Sequence, residues 1–262
     1  MKFSSAYKYD SFVKNIIPIK SQNIFFIVLV LISLRSAAQF DLFRDADVDK
    51  QVWFDYNFNY HKTDKFNIYG DSGFRIVSPH KWSSFYIRPA VSYTPKPIFK
   101  KLSQLRTTYH FGIGNFFTNF VEGSNHLEIR PYQGIQLHWP NFNNISFNHY
   151  ARFEQQIEKF DGEWNFGLRA RYMLSATITW GNNMEKVINS FFIPLHVELF
   201  RNIENANSFN DVIRLNAGLG YHFNPNWRSE FSISYQQRKF EEADNFETND
   251  IVFRLRVYYD IF

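Results

Sequence analysis

The chain has no cysteine, which excludes disulfide bridges and thiolate metal sites. It also has no apolar run of the roughly 20 residues that a membrane-spanning helix needs. The longest such run covers residues 24–34, and no useful length of helical periodicity follows it. The rest of the chain must therefore fold without covalent cross-links, and its pattern favours strands.

The N-terminus has the features of an export signal. Lysines precede the apolar run, and Ser36-Ala37-Ala38 forms a small-residue cleavage motif before Gln39. We predict a signal peptide over residues 1–38, with an uncleaved anchor as the alternative. Cleavage leaves 24 basic and 24 acidic residues, so the pI near 9.1 comes largely from the signal. The neutral remainder gives no indication of nucleic-acid binding.

A strict alternation of apolar and polar residues is clearest between residues 127 and 155. Because successive side chains of a strand point to opposite faces, this alternation predicts two strands with one apolar and one charged face. The first predicted strand places these residues on its apolar face: Leu127, Ile129, Ile135, Leu137 and Trp139. The same strand places these on its polar face: Glu128, Arg130, Tyr132, Gln136 and His138.

Eleven runs of this kind follow one another behind the export signal. They predict an all-β fold, an antiparallel up-and-down transmembrane β-barrel over residues 51–262, with lipid-facing aromatics and a lumen rich in Arg and Glu. Since bacterial single-chain barrels have even strand numbers, we expect about twelve strands, with ten as the fallback. Residues 39–50 are predicted to be a periplasmic lead-in.

Two further features favour a membrane barrel. Five of the six tryptophans lie at run ends, as interfacial aromatic girdles require: Trp82, Trp139, Trp164, Trp180 and Trp227. Arginines lie on the polar faces of the runs, whereas lysines lie in turns or at run ends. A guanidinium group can bridge carboxylates in a confined lumen, while an ammonium group prefers full hydration.

The connections predict the orientation of the barrel. The short turns at 140–144 and 224–226 should be periplasmic, and the longer ones at 118–126, 158–164, 201–211 and 239–249 extracellular. The C-terminus then lies on the periplasmic side, where a final strand ending in Phe262 would meet the barrel-assembly machinery. Phe262 is one position out of phase with the apolar face of that strand, so the assembly signal is only partly matched.

Three segments resemble a known family, the domain of unknown function 2490 family. They are Glu128-Ile-Arg130-Pro-Tyr-Gln133, His149-Tyr-Ala-Arg152-Phe-Glu154-Gln155 and Arg169-Ala-Arg171-Tyr172. Gly134 departs from the aromatic-Gln-Gln that members often carry. The resemblance implies an exported outer-membrane barrel of Bacteroidetes type, and it implies no catalytic residues.

Six charged residues on three consecutive runs form the candidate site: Glu128, Arg130, Arg152, Glu154, Arg169 and Arg171. They could form a binding or selectivity cluster, or an ion-pair network that fills a narrow lumen. The predicted lumen carries eleven arginines against seven carboxylates, which would favour anions if it were open.

His149 is the one polar residue on the apolar face of its run, which suggests a lipid-facing catalytic histidine as an alternative. Such a site needs a serine beside it, but Ser146 lies on the opposite face. His138, His196 and His222 have no metal-ligand spacing. The Gly-x-Gly pairs at 112–114 and 218–220 are more simply strand glycines than a phosphate loop.

The sequence thus predicts a protein of the cell outer membrane, in contact with lipid, with a structural or small-solute pore role and no evident catalysis. No cofactor, metal or nucleic acid is expected, and the oligomeric state is not determined. A lipid-modifying barrel enzyme using His149 and a secreted soluble β-sandwich binding protein are the two alternatives.

Overall fold

The computed structural model describes residues 48–78, 81–96, 105–181, 189–204, 211–239 and 248–262. The predicted signal peptide and most of the predicted lead-in lie outside these residues. The first strand begins at Val48, three residues before the predicted barrel boundary at 51. Within the described ranges, no helix is long and apolar enough to cross a membrane.

The described residues form eleven strands in one closed barrel, and each strand pairs with its neighbours in the chain. The strands are β1 (Val48–His61), β2 (Phe66–Ser78), β3 (Trp82–Tyr93), β4 (Arg106–Phe120), β5 (His126–His138), β6 (Ile145–Phe160), β7 (Glu163–Gly181), β8 (Ser190–Glu204), β9 (Asp211–His222), β10 (Trp227–Lys239) and β11 (Thr248–Ile261). The predicted all-β barrel and its eleven alternating runs are confirmed.

The barrel closes through a parallel pair, β1 with β11, whereas every other pair is antiparallel. The strand count is therefore odd, and it differs from both predicted values, twelve and ten. The even-number expectation assumes that the closing strands are also antiparallel. A parallel seam removes that constraint, because β1 and β11 then run in the same direction along the barrel wall.

The parallel seam also separates the two ends of the barrel chain. Val48 pairs with Asn249 at the start of β11, and Tyr60 pairs with Ile261 at its end. The beginning of β1 and the end of β11 therefore lie at opposite ends of the barrel.

The outer face of the barrel is apolar, as the alternation predicts. Val52, Phe85, Phe111 and Phe231 are between 49% and 58% exposed, although none is near a chain end. In contrast, residues that face the lumen, such as Asp55, are among the most buried residues that the structure describes. The alternative of a β-sandwich with facing apolar sheets is therefore wrong, because the apolar residues cover the outside of one closed sheet.

Two glutamines on this outer face pair with each other. The Gln155 side-chain amide donates a hydrogen bond to Gln133 Oε1 over 3.3 Å, on neighbouring strands β6 and β5. The hydrogen bond satisfies part of the bonding capacity of the two amides.

Four exposed tryptophans lie at the two ends of the outer wall. Trp139, Trp180 and Trp227 lie towards the end where β11 finishes, and Trp164 lies towards the other end. Trp227 packs against Tyr259 with ring centroids 4.5 Å apart. These positions agree with two aromatic belts at the borders of an apolar band.

The connection between β6 and β7 is not the long loop predicted at 158–164. It is a two-residue turn, in which Asp161 has φ of 50° and Gly162 has φ of 88°. Positive φ at both central residues is the type I′ geometry that Asp-Gly favours in hairpins. The loop-length difference that oriented the barrel is therefore absent at this connection.

Strand glycines make room for aromatic rings inside the barrel. A Cβ on Gly112 would lie 2.5 Å from the Tyr132 ring, and a Cβ on Gly220 would lie 2.0 Å from the Phe192 ring. Real Cβ atoms do not approach rings so closely. This close packing agrees with the interpretation of these residues as strand glycines.

Candidate functional site

The chemistry of the barrel lies in its lumen, because the alternation directs nearly all strand arginines and acids inward. On β5, Arg130 donates to Glu128 from Nε at 2.7 Å and from Nη2 at 2.6 Å. The two residues are two positions apart, so their side chains share the inward face. This bidentate geometry is the strongest form of arginine–carboxylate pair.

Glu154 on β6 is the centre of the predicted cluster and is fully buried. Arg169 of β7 donates to its Oε2 from Nη2 at 2.5 Å, and Arg152 forms an ion pair with its Oε1. Arg130 Nε lies 3.9 Å from Oε2. One carboxylate thus holds arginines from three strands.

Arg171, the sixth residue of the predicted site, pairs outside the predicted group. Its guanidinium contacts Glu198 on β8, whose other carboxylate oxygen accepts from Arg214 Nη1 at 2.7 Å. The structure therefore brings the six predicted residues together and extends their network to β8 and β9. Whether the group has a functional role remains a prediction.

A second charged group spans the seam and the strands beside it. Asp55 on β1 contacts Arg254 of β11 and the hydroxyl of Tyr86 on β3. Asp71 on β2 pairs with Arg88 on β3, whose Nε donates to Oδ1 at 3.0 Å. Sequence reasoning assigned these residues to the lumen but could not pair Asp55 with Arg254, because pairing across the seam depends on closure.

Two buried aromatic residues act as platforms for the guanidinium groups. Trp53 lies under Arg75, Arg214 and Arg254, with guanidinium carbons 4.1, 5.1 and 5.3 Å from the ring centroid. Such cation–π contacts orient a guanidinium group but leave its formal charge in place. Sequence reasoning missed Trp53, although it is the one tryptophan away from a run end.

Phe200 on β8 is the second platform. Its ring centroid lies 5.0 Å from the guanidinium carbon of Arg169 and 5.1 Å from those of Arg171 and Arg214. Arg214 therefore contacts both platforms. The sequence offers one signal for this role, since Phe200 is an aromatic residue at an inward position of its run.

These side chains surround a cavity of about 390 Å³ in the lumen. Nine arginines line it: Arg75, Arg88, Arg130, Arg152, Arg169, Arg171, Arg214, Arg254 and Arg256. Asp71 and Glu198 are the carboxylate residues among its lining. The arrangement presents guanidinium donors from many strands to one enclosed space.

Arg75 differs from the other arginines of the cavity. The described residues give it no hydrogen-bonded carboxylate, and its buried Nε has no hydrogen-bond partner. The group lies between aromatic rings, 4.1 Å from the Trp53 centroid and 4.5 Å from that of Tyr86. It is thus packed between two rings with its Nε donor unpartnered, and Asp55 is an electrostatic partner to which it makes no hydrogen bond in the described residues.

His149 lies on the outer face, as predicted, in an aromatic cluster. Its Nδ1 is 2.6 Å from the Tyr172 hydroxyl, and its ring centroid is 5.9 Å from that of Trp139. The Tyr172 hydroxyl thus contacts Nδ1, the imidazole nitrogen that the orienting acid contacts in a Ser-His-Asp triad. Among the described residues, no group of three or more His, Asp or Glu side chains could hold a metal ion.

These features define a class of protein: a small closed β-barrel with an apolar outer wall and an arginine-rich lumen. The chain belongs to the family described as "Protein of unknown function (DUF2490)", whose profile matches residues 50–247. The resemblance expected from the sequence is confirmed, and the match covers all but the last strand of the barrel. No curated protein matches the chain.

Proposed function

We propose that the protein is an outer-membrane β-barrel with a structural role and a lumen closed by ion pairs. One observation carries this proposal: the apolar residues of a closed barrel face outward while its arginines and acids face inward. A water-soluble barrel has no reason to expose a continuous apolar wall, which is costly in water and favourable in hydrocarbon.

The ion-paired lumen favours a structural role over a general pore, because the space it leaves is a cavity of about 390 Å³. Glu154, Glu198 and Asp55 are almost inaccessible to water, and Tyr86 is fully buried. Arg214 of β9 lies over Trp53 of β1, so side chains from strands that are not neighbours meet in the lumen. An open porin keeps a water-filled channel instead, so we expect little conductance.

Assembly through β11 is a further part of the proposal. We expect the end where β11 finishes to face the periplasm, where the assembly machinery reads the final strand. Since Val48 begins β1 at the opposite end, this orientation does not agree with the periplasmic lead-in predicted over residues 39–50. The Phe262 ring is 75% exposed and stacks on His61 with centroids 5.0 Å apart. Phe262 follows the last strand residue, so its ring is available to a partner protein.

Fractionation tests the location. Sarkosyl extraction of cell envelopes should leave the protein in the insoluble outer-membrane fraction. The folded protein should also migrate differently from boiled protein on SDS gels, as closed barrels do. Recovery of the protein in the soluble periplasmic fraction would refute the membrane assignment.

Planar-bilayer recording tests the closed lumen. Pure folded protein should show no steady channels, whereas regular conductance steps would show that the ion-pair network leaves a path. The Glu154→Gln variant should be recorded in the same way, since it removes the carboxylate that holds arginines from three strands. The exposed Glu163→Gln provides the matched control.

A further inference from the structure

The charges that line the central cavity do not balance. Six carboxylates contact its nine arginines: Asp55, Asp71, Glu128, Glu154, Glu198 and Glu230. The group therefore carries a net charge of +3. Ionised groups out of bulk water are strongly destabilised unless they are compensated, so an excess of this size requires a counter-charge.

The charged groups towards the ends of the lumen do not supply that counter-charge. Asp250 and Asp260 each have their own cation, Arg238 and Arg228. Glu158 contacts His126, which balances its charge only when the imidazole is protonated. Glu158 can therefore offset at most one of the three excess charges, and a positive excess remains around the cavity in the part of the chain that the structure describes.

Positive charge exceeds negative charge around the cavity because some carboxylates are each shared between two arginines. Glu154 and Glu198 each contact at least two arginines, and Asp55 lies 3.8 Å from Arg256 as well as beside Arg254. A carboxylate can neutralise one positive charge only. Each shared acid therefore leaves a guanidinium group with unused charge facing the cavity.

Hydrogen-bond donors without partners also occur among the arginines of the cavity. The Nε atoms of Arg75, Arg152 and Arg171 are buried without hydrogen-bond partners. Buried donors of native proteins are nearly always satisfied, by protein, water or ligand. All three arginines line the same cavity, so guanidinium groups with unused hydrogen-bonding capacity lie around it.

We infer that the lumen cavity is a binding site for a small multivalent oxyanion, of the phosphate or di- or tricarboxylate class. Guanidinium forks match the planar oxygens of carboxylates and phosphates in bidentate geometry. The volume of about 390 Å³ lies at the small end of the range for ligand pockets, about 300–1,000 Å³. A compact anion fits this space, and a polymer or a lipid does not.

The platforms make the site rigid before any anion arrives. Trp53 and Phe200 fix five of the arginines by cation–π contacts without adding negative charge. Preorganised donors lose little conformational entropy on binding. The inference rests on the lumen alone, and it stands whether or not the barrel lies in the outer membrane.

Binding to the purified full-length barrel in detergent tests the site. The probes are inorganic phosphate, citrate and chloride at equal ionic strength, measured by calorimetry and by melting temperature. We expect saturable binding of phosphate or citrate, with a rise in melting temperature that chloride does not give. The stronger of the two indicates whether phosphate or carboxylate is preferred. Equal effects of all three salts, or no saturable binding, would overturn the inference.

Two variants locate the site. Arg75→Gln removes a cation that has no hydrogen-bonded carboxylate among the described residues. Asn57→Asp adds a carboxylate to the cavity lining with almost no change of volume, and it gives up the 3.4 Å hydrogen bond from the Asn57 amide to the Val257 carbonyl. Each should weaken phosphate or citrate binding by about tenfold or more, as loss of a charge-assisted hydrogen bond does. Arg201→Gln is the control, because Arg201 is 77% exposed and pairs with Asp211 outside the cavity.

The two variants also separate binding from folding. Asn57→Asp should raise the melting temperature without added anion, since it supplies part of the missing counter-charge. If Arg75→Gln does not fold, Asn57→Asp decides alone. Wild-type affinity in Asn57→Asp overturns the inference, whether or not Arg75→Gln can be measured.

Discussion

Asp55 and Arg254 form an ion pair across the seam that closes the barrel, although 199 positions separate them in the chain. Asp55 is fully buried, and the Tyr86 hydroxyl and Arg256 also approach its carboxylate. A buried ion pair inside the lumen thus accompanies the backbone pairing of β1 with β11 at the seam.

We expect Asp55→Asn to destabilise the barrel by about 3–5 kcal/mol, the cost of removing one partner from a buried ion pair. The change leaves Arg254 without its carboxylate in a space that water hardly reaches. Denaturant unfolding in detergent measures the loss. Asp49→Asn on the same strand is the control, because its pair with Lys81 is solvent-exposed and contributes about 1 kcal/mol or less.

An arginine introduced on the outer wall tests whether that wall faces lipid or water. Ile113→Arg places a cation midway along β4 and should cost about 2–4 kcal/mol if the wall faces the bilayer centre. Val121→Arg lies just beyond β4 and should cost about 0–1 kcal/mol, as for interfacial positions. The measurement is unfolding in lipid vesicles. Equal tolerance of both changes would contradict the membrane location.

The Phe192 ring packs so closely against Gly220 that a smaller residue at position 192 should reduce the cost of a Gly220→Ala substitution. Gly220→Ala introduces a Cβ that would lie 2.0 Å from the Phe192 ring, so overpacking should cost about 1–3 kcal/mol. In a Phe192→Leu background the ring is gone, and the same change should cost clearly less. A double-mutant cycle of unfolding free energies measures the coupling. Additive effects would show that the two residues do not compete for space.

Glu154→Gln links stability to the anion site. It leaves Arg152 and Arg169 without their common carboxylate, so we expect a loss of about 3–5 kcal/mol. It also raises the net charge around the cavity by one, so phosphate or citrate should bind more tightly and restore part of the lost stability. Unfolding with and without phosphate measures both effects, and Glu163→Gln should show neither.

Local sequence patterns predicted much of this structure. The alternation that places Glu128 and Arg130 on one face and Leu127 and Ile129 on the other predicted strands, their faces and the inward position of the arginines. Period-two alternation is a property of a single strand, so it needs no knowledge of neighbours. The Asp161-Gly162 dipeptide favours a two-residue hairpin turn, so the long loop predicted there is wrong.

The sequence by itself determined that the chain forms strands with one apolar and one charged face, and it identified the family. The tertiary structure decided the odd strand number, the parallel seam, the Asp55–Arg254 pair and the grouping of three arginines each on Trp53 and Phe200. The physical reason is that register and closure are set by the whole ring of strands. Contacts between β1 and β11, or between Trp53 on β1 and Arg214 on β9, exist only once every strand has taken its place in that ring.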